Sequence, residues 1–179
     1  MESFFSAMKG YNLDMNTKLI ILRGPSGSGK STIASRLIGE SARKIATIER
    51  DMFKVNILHN QPGSRELSAL MCRDAIVSAL SGRFDVIADG IFNISSYKEI
   101  FDSIIAAHDG EVYMYYFDIS LDETVRRHQT RIKKDEFGET EMQKWYSTAS
   151  PAGYEFEIRV SEDLSEDEIV QKILLETGV

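Results

Sequence analysis

The chain has 179 residues, a net charge of −7, 42% hydrophobic and 27% charged residues, the balance of one soluble globular domain spanning 1–179. No apolar run is long enough to cross a bilayer, the start carries Glu2 and lacks the stretches of an export signal, and a single cysteine, Cys72, fits a reducing cytoplasm. So acidic a chain also disfavours extended nucleic-acid binding, which draws its affinity from many phosphate contacts.

Residues 1–16 carry no motif and read as an N-terminal extension, with Phe4, Phe5 and Met8 packing a turn on the domain. The apolar run at 18–22 predicts a short buried strand. Gly24, Pro25, Ser26, Gly27, Ser28, Gly29, Lys30, Ser31 and Thr32 follow it and match G-x-x-x-x-G-K-[ST]. Residues 32–38 then predict a helix with Ile33, Leu37 and Ile38 on one face. A glycine-rich loop between a strand and a helix cradles phosphate, because its backbone N–H groups and the helix N-terminus converge on one anion. In that setting Lys30 reaches the β- and γ-phosphates, and the Ser31 hydroxyl ligates Mg²⁺. The motif predicts that the protein binds a nucleoside triphosphate.

A second strand at 44–49 delivers Arg50 and Asp51 at its end, and 54–63 read as a loop or broken helix. A helix at 66–80 presents Leu67, Leu70, Met71, Ala75, Ile76 and Leu80, with Cys72 in its packing and Gly82 at its stop. A third strand at 84–88 ends at Asp89 and Gly90. Ser96 and Glu99 fit a capping box for a helix ending near Gly110. An apolar and aromatic strand at 111–118 predicts a central position. Ser120 and Glu123 fit a second box, a weak strand lies at 157–160, and Ser165 and Glu168 start a terminal helix with Ile169, Val170, Ile173 and Leu174 inward. Strands alternating with helices give a three-layer α/β fold, a parallel sheet covered on both faces. Ligands in such sheets bind beyond the carboxyl ends of the strands, so the glycine-rich loop, Asp51 and Asp89 converge on one crevice.

Phosphoryl transfer needs charge neutralisation on the moving group and a residue to orient or deprotonate the acceptor hydroxyl. Asp51 suits the second task, or else caps the next helix; Asp89 suits Mg²⁺, or else forms a turn with Gly90. Which of the two is the base stays open. Arg127 and Arg131, four residues apart, share a helix face opposite Leu121 and Val125 and suit phosphate oxygens, the alternative being a solvated charged face. Residues 133–150 read as a polar lid, whose Trp145 and Tyr146 either stack on a ligand or pack in the core. Asp135 and Gly138 match D-x-x-G by accident, since no strand precedes them and no N-K-x-D follows. His59, His108 and His128 make no metal-site spacing.

Together these residues resemble the small P-loop kinases with a five-stranded core, such as gluconate and shikimate kinases. Members with an Asp straight after the second strand are closer: chloramphenicol phosphotransferase, the zeta-toxin kinases and the kinase domain of polynucleotide kinase. Residues 116–131 and 136–146 look like a bacterial AAA-type branch of that group. The resemblance implies strand order 2-3-1-4-5, ATP and Mg²⁺, Asp51 as acceptor-activating base, and lid arginines on the phosphates. The expected function is transfer of the γ-phosphoryl group of ATP to a hydroxyl of a small molecule. The alternatives are a kinase of a nucleoside, nucleotide or nucleic-acid 5′ end, and a nucleotide-binding regulatory ATPase with an exposed apolar patch. Residues 90–95 match no acceptor signature of the group, and oligomeric state is left open. Asp51, Asp89 and a polar loop with Lys54, Asn56, His59, Asn60, Gln61 and Arg65 would border the acceptor. Two acids there favour a neutral or cationic acceptor over a DNA or RNA end.

Overall fold

Five short runs of branched and aromatic residues pair as parallel strands in the computed structural model, which describes residues 17–129, 138–146 and 149–179. They are β1 Lys18–Arg23, β2 Ile45–Glu49, β3 Asp85–Gly90, β4 Glu111–Asp118 and β5 Glu157–Ser161, in the order β2-β3-β1-β4-β5 implied by the resemblance. Six α-helices connect or follow them among the described residues: α1 Lys30–Glu40, α2 Ser64–Ser81, α3 Ile94–Ala107, α4 Leu121–Gln129, α5 Glu139–Tyr146 and α6 Glu166–Thr177. Registers level the carboxyl ends of the strands: Arg23 lies opposite Gly90 and Tyr116, and Glu49 opposite Asp89. That alignment brings the ends of β1, β2 and β3 to one height.

Side chains alternate between the faces of the sheet, so each strand feeds two cores. Leu19, Ile21, Val86, Ala88 and Met114 pack with Cys72, Ile76, Leu80, Phe101 and Ile104 of α2 and α3. Ile20, Leu22, Ile87, Tyr115 and Phe117 pack with Ile33, Leu37, Ile169 and Ile173 of α1 and α6 on the other face. Each such chain contributes roughly 1.5–3 kcal/mol on full burial, against about 0–1 kcal/mol for an exposed ion pair. Apolar burial therefore dominates, and most of the surface charge pairs fine-tune it.

Several helix faces and starts differ from the periodicity reading. Ala34 takes the inward place expected of Ile38, which is 43% exposed. On α2 the buried residues include Ser68, Ala69, Cys72 and Arg73, whereas Leu67 and Leu70 are exposed. The stripe Ala69, Cys72, Ile76, Leu80 sets the helix rotation and leaves Leu67 and Leu70 off the core. On α4 Thr124 and His128 are buried in place of Leu121 and Val125. Helix α3 starts two residues before the expected box: the Asn93 side chain accepts the Ser95 N–H at 3.0 Å. At α4 only half the box forms. The Ser120 hydroxyl accepts from the Glu123 N–H, but the Glu123 carboxylate turns to Arg126 and Arg127. The full box exists at α6, between Ser165 and Glu168.

Residues expected as a loop or broken helix begin as a π-helix, Met52–Ile57. The Leu58 N–H bonds the Phe53 carbonyl at 2.9 Å, and His59 and Asn60 then take positive φ of 50° and 54°. Such wide turns hold little and gather at functional sites. Within the expected lid, α5 is anchored, since Met142 is buried against the glycine-rich loop. Arg131 and the residues 135–137 of the D-x-x-G match lie outside the described residues. No described helix is long and apolar enough to cross a membrane.

Candidate active site

The glycine-rich loop follows β1 directly, and its shape depends on missing side chains. Gly24, Gly27 and Gly29 have φ of 140°, 83° and 98°, values that L side chains rarely adopt. A Cβ at Gly24 would stand 2.7 Å from the Phe117 carbonyl oxygen, and one at Gly27 would stand 2.8 Å from that of Thr124. β4 and α4 thus press the loop into a cradle. Lys30 opens α1, and its ammonium donates to the Pro25 carbonyl at 2.7 Å and the Ser28 hydroxyl at 3.1 Å. Pro25, Ser26 and Thr32 complete the segment, with Ser26 partly exposed and Thr32 exposed at its mouth.

Two of the residues expected at the crevice meet across it. The Ser31 hydroxyl donates to Asp89 Oδ2 at 2.5 Å, joining the start of α1 to the end of β3. Asp89 is 4% exposed, and Gly90 continues β3, so the turn that was the alternative reading of Asp89 does not form. Gly90 is needed for another reason. A Cβ there would lie 2.7 Å from the Cβ of Arg50, which crosses the end of β3.

Asp51 sits at the start of the π-helix but makes no side-chain capping bond. Its carboxylate is 60% exposed and pairs with the Arg50 guanidinium at 2.9 Å. The alternative reading of Asp51 as a cap is not met, and it stands as an exposed carboxylate beyond β2. Behind Arg50, Phe92 meets Tyr97 and Phe101 edge to face, with Phe92 and Tyr97 centroids 4.9 Å apart. Burial pushes the Tyr97 hydroxyl and the Cys72 thiol each up to about 12, which fits Cys72 as a packing residue with an inert thiol.

Arg127 lies on the nucleotide-loop side, though in a different posture from that expected. Its Nη1 donates to the Ser28 carbonyl at 3.2 Å, and its Nε to Glu123 at 2.6 Å. Hydrogen bonds from Arg126 and then Arg127 hold the Glu123 carboxyl at about 2, well below the usual range. These arginines form one wall of a cavity of about 400 Å³ whose other walls are Gly27 to Gly29, Ile33, Phe117 and the loop Leu164, Ser165, Glu166. That volume is in the range of small-ligand sites. Sequence reasoning missed this cavity, because Leu164 to Glu166 was read only as a helix start and Glu123 only as a cap. It also passed over Arg50, whose signal was the side-chain-free Gly90 opposite the end of β2.

Comparison with known proteins places the fold. The profile of the AAA domain family matches residues 19–149, more than half of the chain. A sugar kinase from a Janibacter species superposes with a TM-score of 0.67 at 19% identity, over 89% of this chain and 93% of its own. A gluconokinase from Sinorhizobium meliloti gives 0.66 at 16% identity over 92% of each chain. The Mycobacterium tuberculosis APS kinase, in complex with AMPPNP and APS, gives 0.68 at 15% identity over 93% of this chain and all of its own. No curated protein matches the sequence.

Proposed function

The chain belongs to this AAA domain family, and from that premise we propose that it is an ATP- and Mg²⁺-dependent phosphotransferase acting on a hydroxyl of a small molecule. The observation that carries the reading is the Ser31–Asp89 contact at the mouth of the glycine-rich loop. The kinases of sugar, gluconate and APS with the same fold support it.

The donor set fits magnesium. The Ser31 hydroxyl and the buried Asp89 carboxylate would offer it oxygen ligands, the kind Mg²⁺ takes. When bound, the ion neutralises charge shared between the β- and γ-phosphates. The chain's own residues do the rest. Loop N–H groups from Gly27 to Lys30 bind the phosphates, and Lys30 swings from Pro25 and Ser28 onto them. The cavity between Arg126, Arg127 and Leu164 receives the base and sugar. Asp51 accepts the acceptor's proton while the acceptor oxygen bonds to the γ-phosphorus and the bond to the bridging oxygen breaks. Arg127, with Arg131 as a second donor from beyond the described residues, offsets charge on the departing oxygens.

The test joins binding to turnover. Calorimetry should show tight Mg-ATP binding that Lys30→Ala and Ser31→Ala abolish without altering the circular dichroism spectrum. A screen of hydroxyl-bearing compounds should then find one that raises ATP consumption at least tenfold above the basal rate. Unchanged affinity in both variants refutes the nucleotide site.

A second reading, a nucleotide-dependent regulatory module, draws on Met52, Val55, Ile57, Leu67 and Leu70, which are exposed on the neighbouring π-helix and α2. It predicts ATP use that no small hydroxyl compound stimulates.

A further inference from the structure

Charge on the acceptor side of the crevice has the sign opposite to the one expected from the sequence. Of the two acids, Asp89 is buried and accepts a hydrogen bond from Ser31, so it belongs to the nucleotide side. Asp51 is already paired with Arg50. Two further cations, Lys54 and Arg65, lie around that pair. Arg50 is packed over Gly90, and its Nε is buried with no hydrogen-bond partner. Lys54 lies on the π-helix that Asp51 starts, and Arg65 stands in the first turn of α2, which packs on that π-helix. Neither Lys54 nor Arg65 has a carboxylate within ion-pair distance among the described residues.

These charges feel one another. Burial lowers the Lys54 ammonium, Arg50 and Arg65 lower it further, and only Asp51 opposes them. Two cations and one acid act on Lys54, and with Glu66 beside Arg65 in the first turn of α2 the cluster still carries one more cation than acid, in a chain whose net charge is −7. Arg50 gives one donor to Asp51 and keeps Nε unpartnered, and the like charges of Arg50, Lys54 and Arg65 repel one another. An anion among them would relieve the repulsion and meet several charge-assisted donors at once.

We propose that the acceptor is a small hydroxyl-bearing anion, a carboxylate or a phosphate ester, whose charged group is held by Lys54 and Arg65 beside Arg50. The inference rests on the phosphotransferase reading, with the hydroxyl of the anion facing Asp51. It assigns Lys54 and Arg65 to acceptor specificity, separate from the nucleotide cradle.

The experiment fills the phosphate cradle first. The protein is saturated with AMPPNP and Mg²⁺, and sodium sulfate is then titrated by calorimetry at constant ionic strength set with sodium chloride. The expected result is saturable sulfate binding, weakened about tenfold by Lys54→Met and by Arg65→Met, the loss of one charge-assisted contact each. Lys172→Met, on α6 far from the crevice ends of the strands, should leave it unchanged. Displacement separates the two anion chemistries: gluconate succeeding where sorbitol fails marks a carboxylate site, and glycerol 3-phosphate succeeding where glycerol fails marks a phosphate site. No saturable sulfate binding, equal binding in both variants, or displacement by sorbitol and glycerol would overturn the proposal and leave the nucleotide site standing. Failure to take up AMPPNP, visible before any sulfate is added, would bring down the nucleotide reading itself.

Discussion

A buried ion pair joins Arg23 to Glu157, and removing one partner should destabilise the fold far more than losing the Arg50–Asp51 or Glu123–Arg126 contact. Arg23 ends β1 immediately before the glycine-rich loop, and Glu157 starts β5; both side chains are nearly fully buried. The guanidinium also donates to the Phe92 carbonyl at 2.9 Å and the Ser150 carbonyl at 3.0 Å. Glu157 accepts from the N–H groups of Ala152 and Gly153. The pair therefore ties the segment behind α5 and the turn after β3 to the root of the nucleotide loop. Glu157→Gln leaves a buried cation uncompensated, a cost of about 3–5 kcal/mol. For a chain of this length each kcal/mol lowers Tm by about 2–4 °C, so the variant should melt roughly 6–20 °C below the parent. Replacing both residues removes the stranded charge, so Arg23→Met with Glu157→Met should be no less stable than Glu157→Gln alone. Urea unfolding monitored by circular dichroism and fluorescence gives the free energies, and the cycle through both single Met variants and the double should yield a coupling of about 2 kcal/mol or more. Additive effects, with a coupling under about 0.5 kcal/mol, would refute the claim that the pair acts as a unit.

Asp51→Asn should keep Mg-ATP affinity and cut acceptor-dependent turnover by about 10²–10⁴, as expected for loss of a general base; a change under threefold would exclude Asp51 from proton transfer. Gly90→Ala should spare nucleotide affinity and raise the acceptor KM, because the new methyl displaces Arg50; equal effects on both substrates would contradict that placement. Glu123 is depressed from an ordinary 4.5 to about 2, so its contact with Arg126 and Arg127 stabilises the fold above pH 4.5 and is lost as pH falls toward 2. Glu123→Gln should accordingly show a flatter stability curve over that window and match the parent at its acid end; parallel acid titrations would refute it.

The elements and their order were legible because the signals are local and repeated. A run such as Val112 to Phe117 is apolar or aromatic throughout, as a central strand buried on both faces is, and the glycine-rich loop needs its strand and helix to work. Helix rotation was less legible, and α2 explains why. Its hydrophobic residues circle the helix, so the inward face was settled by what lies opposite: Ala69, Cys72, Ile76 and Leu80 join the core, and Ser68 turns inward with them to meet the Tyr97 hydroxyl. Capping was ambiguous for a similar reason. Ser96 and Glu99 satisfy the pattern, but Asn93 is an equally good cap and reaches the chain first.

At the site the same divide separates what a motif carries from what packing creates. Lys30 and Ser31 are fixed by chain-local geometry, and Asp89 follows from strand order, since β3 pairs with β1 and puts its last acid level with Leu22. Arg50 has no such signature. It precedes Asp51 in sequence, and its side chain matters only because Gly90, forty residues later, lacks one. The pairing of β2 with β3 brings those two positions together, and Glu49 opposite Asp89 leaves Arg50 one step further on, over Gly90. A charge count along the sequence therefore gave Asp51 and Asp89 to the acceptor, whereas the folded register gives Asp89 to Ser31 and leaves Arg50, Lys54 and Arg65 around Asp51. On that proposal the sign of the acceptor's charge follows from strand pairing, which sets Arg50 over Gly90.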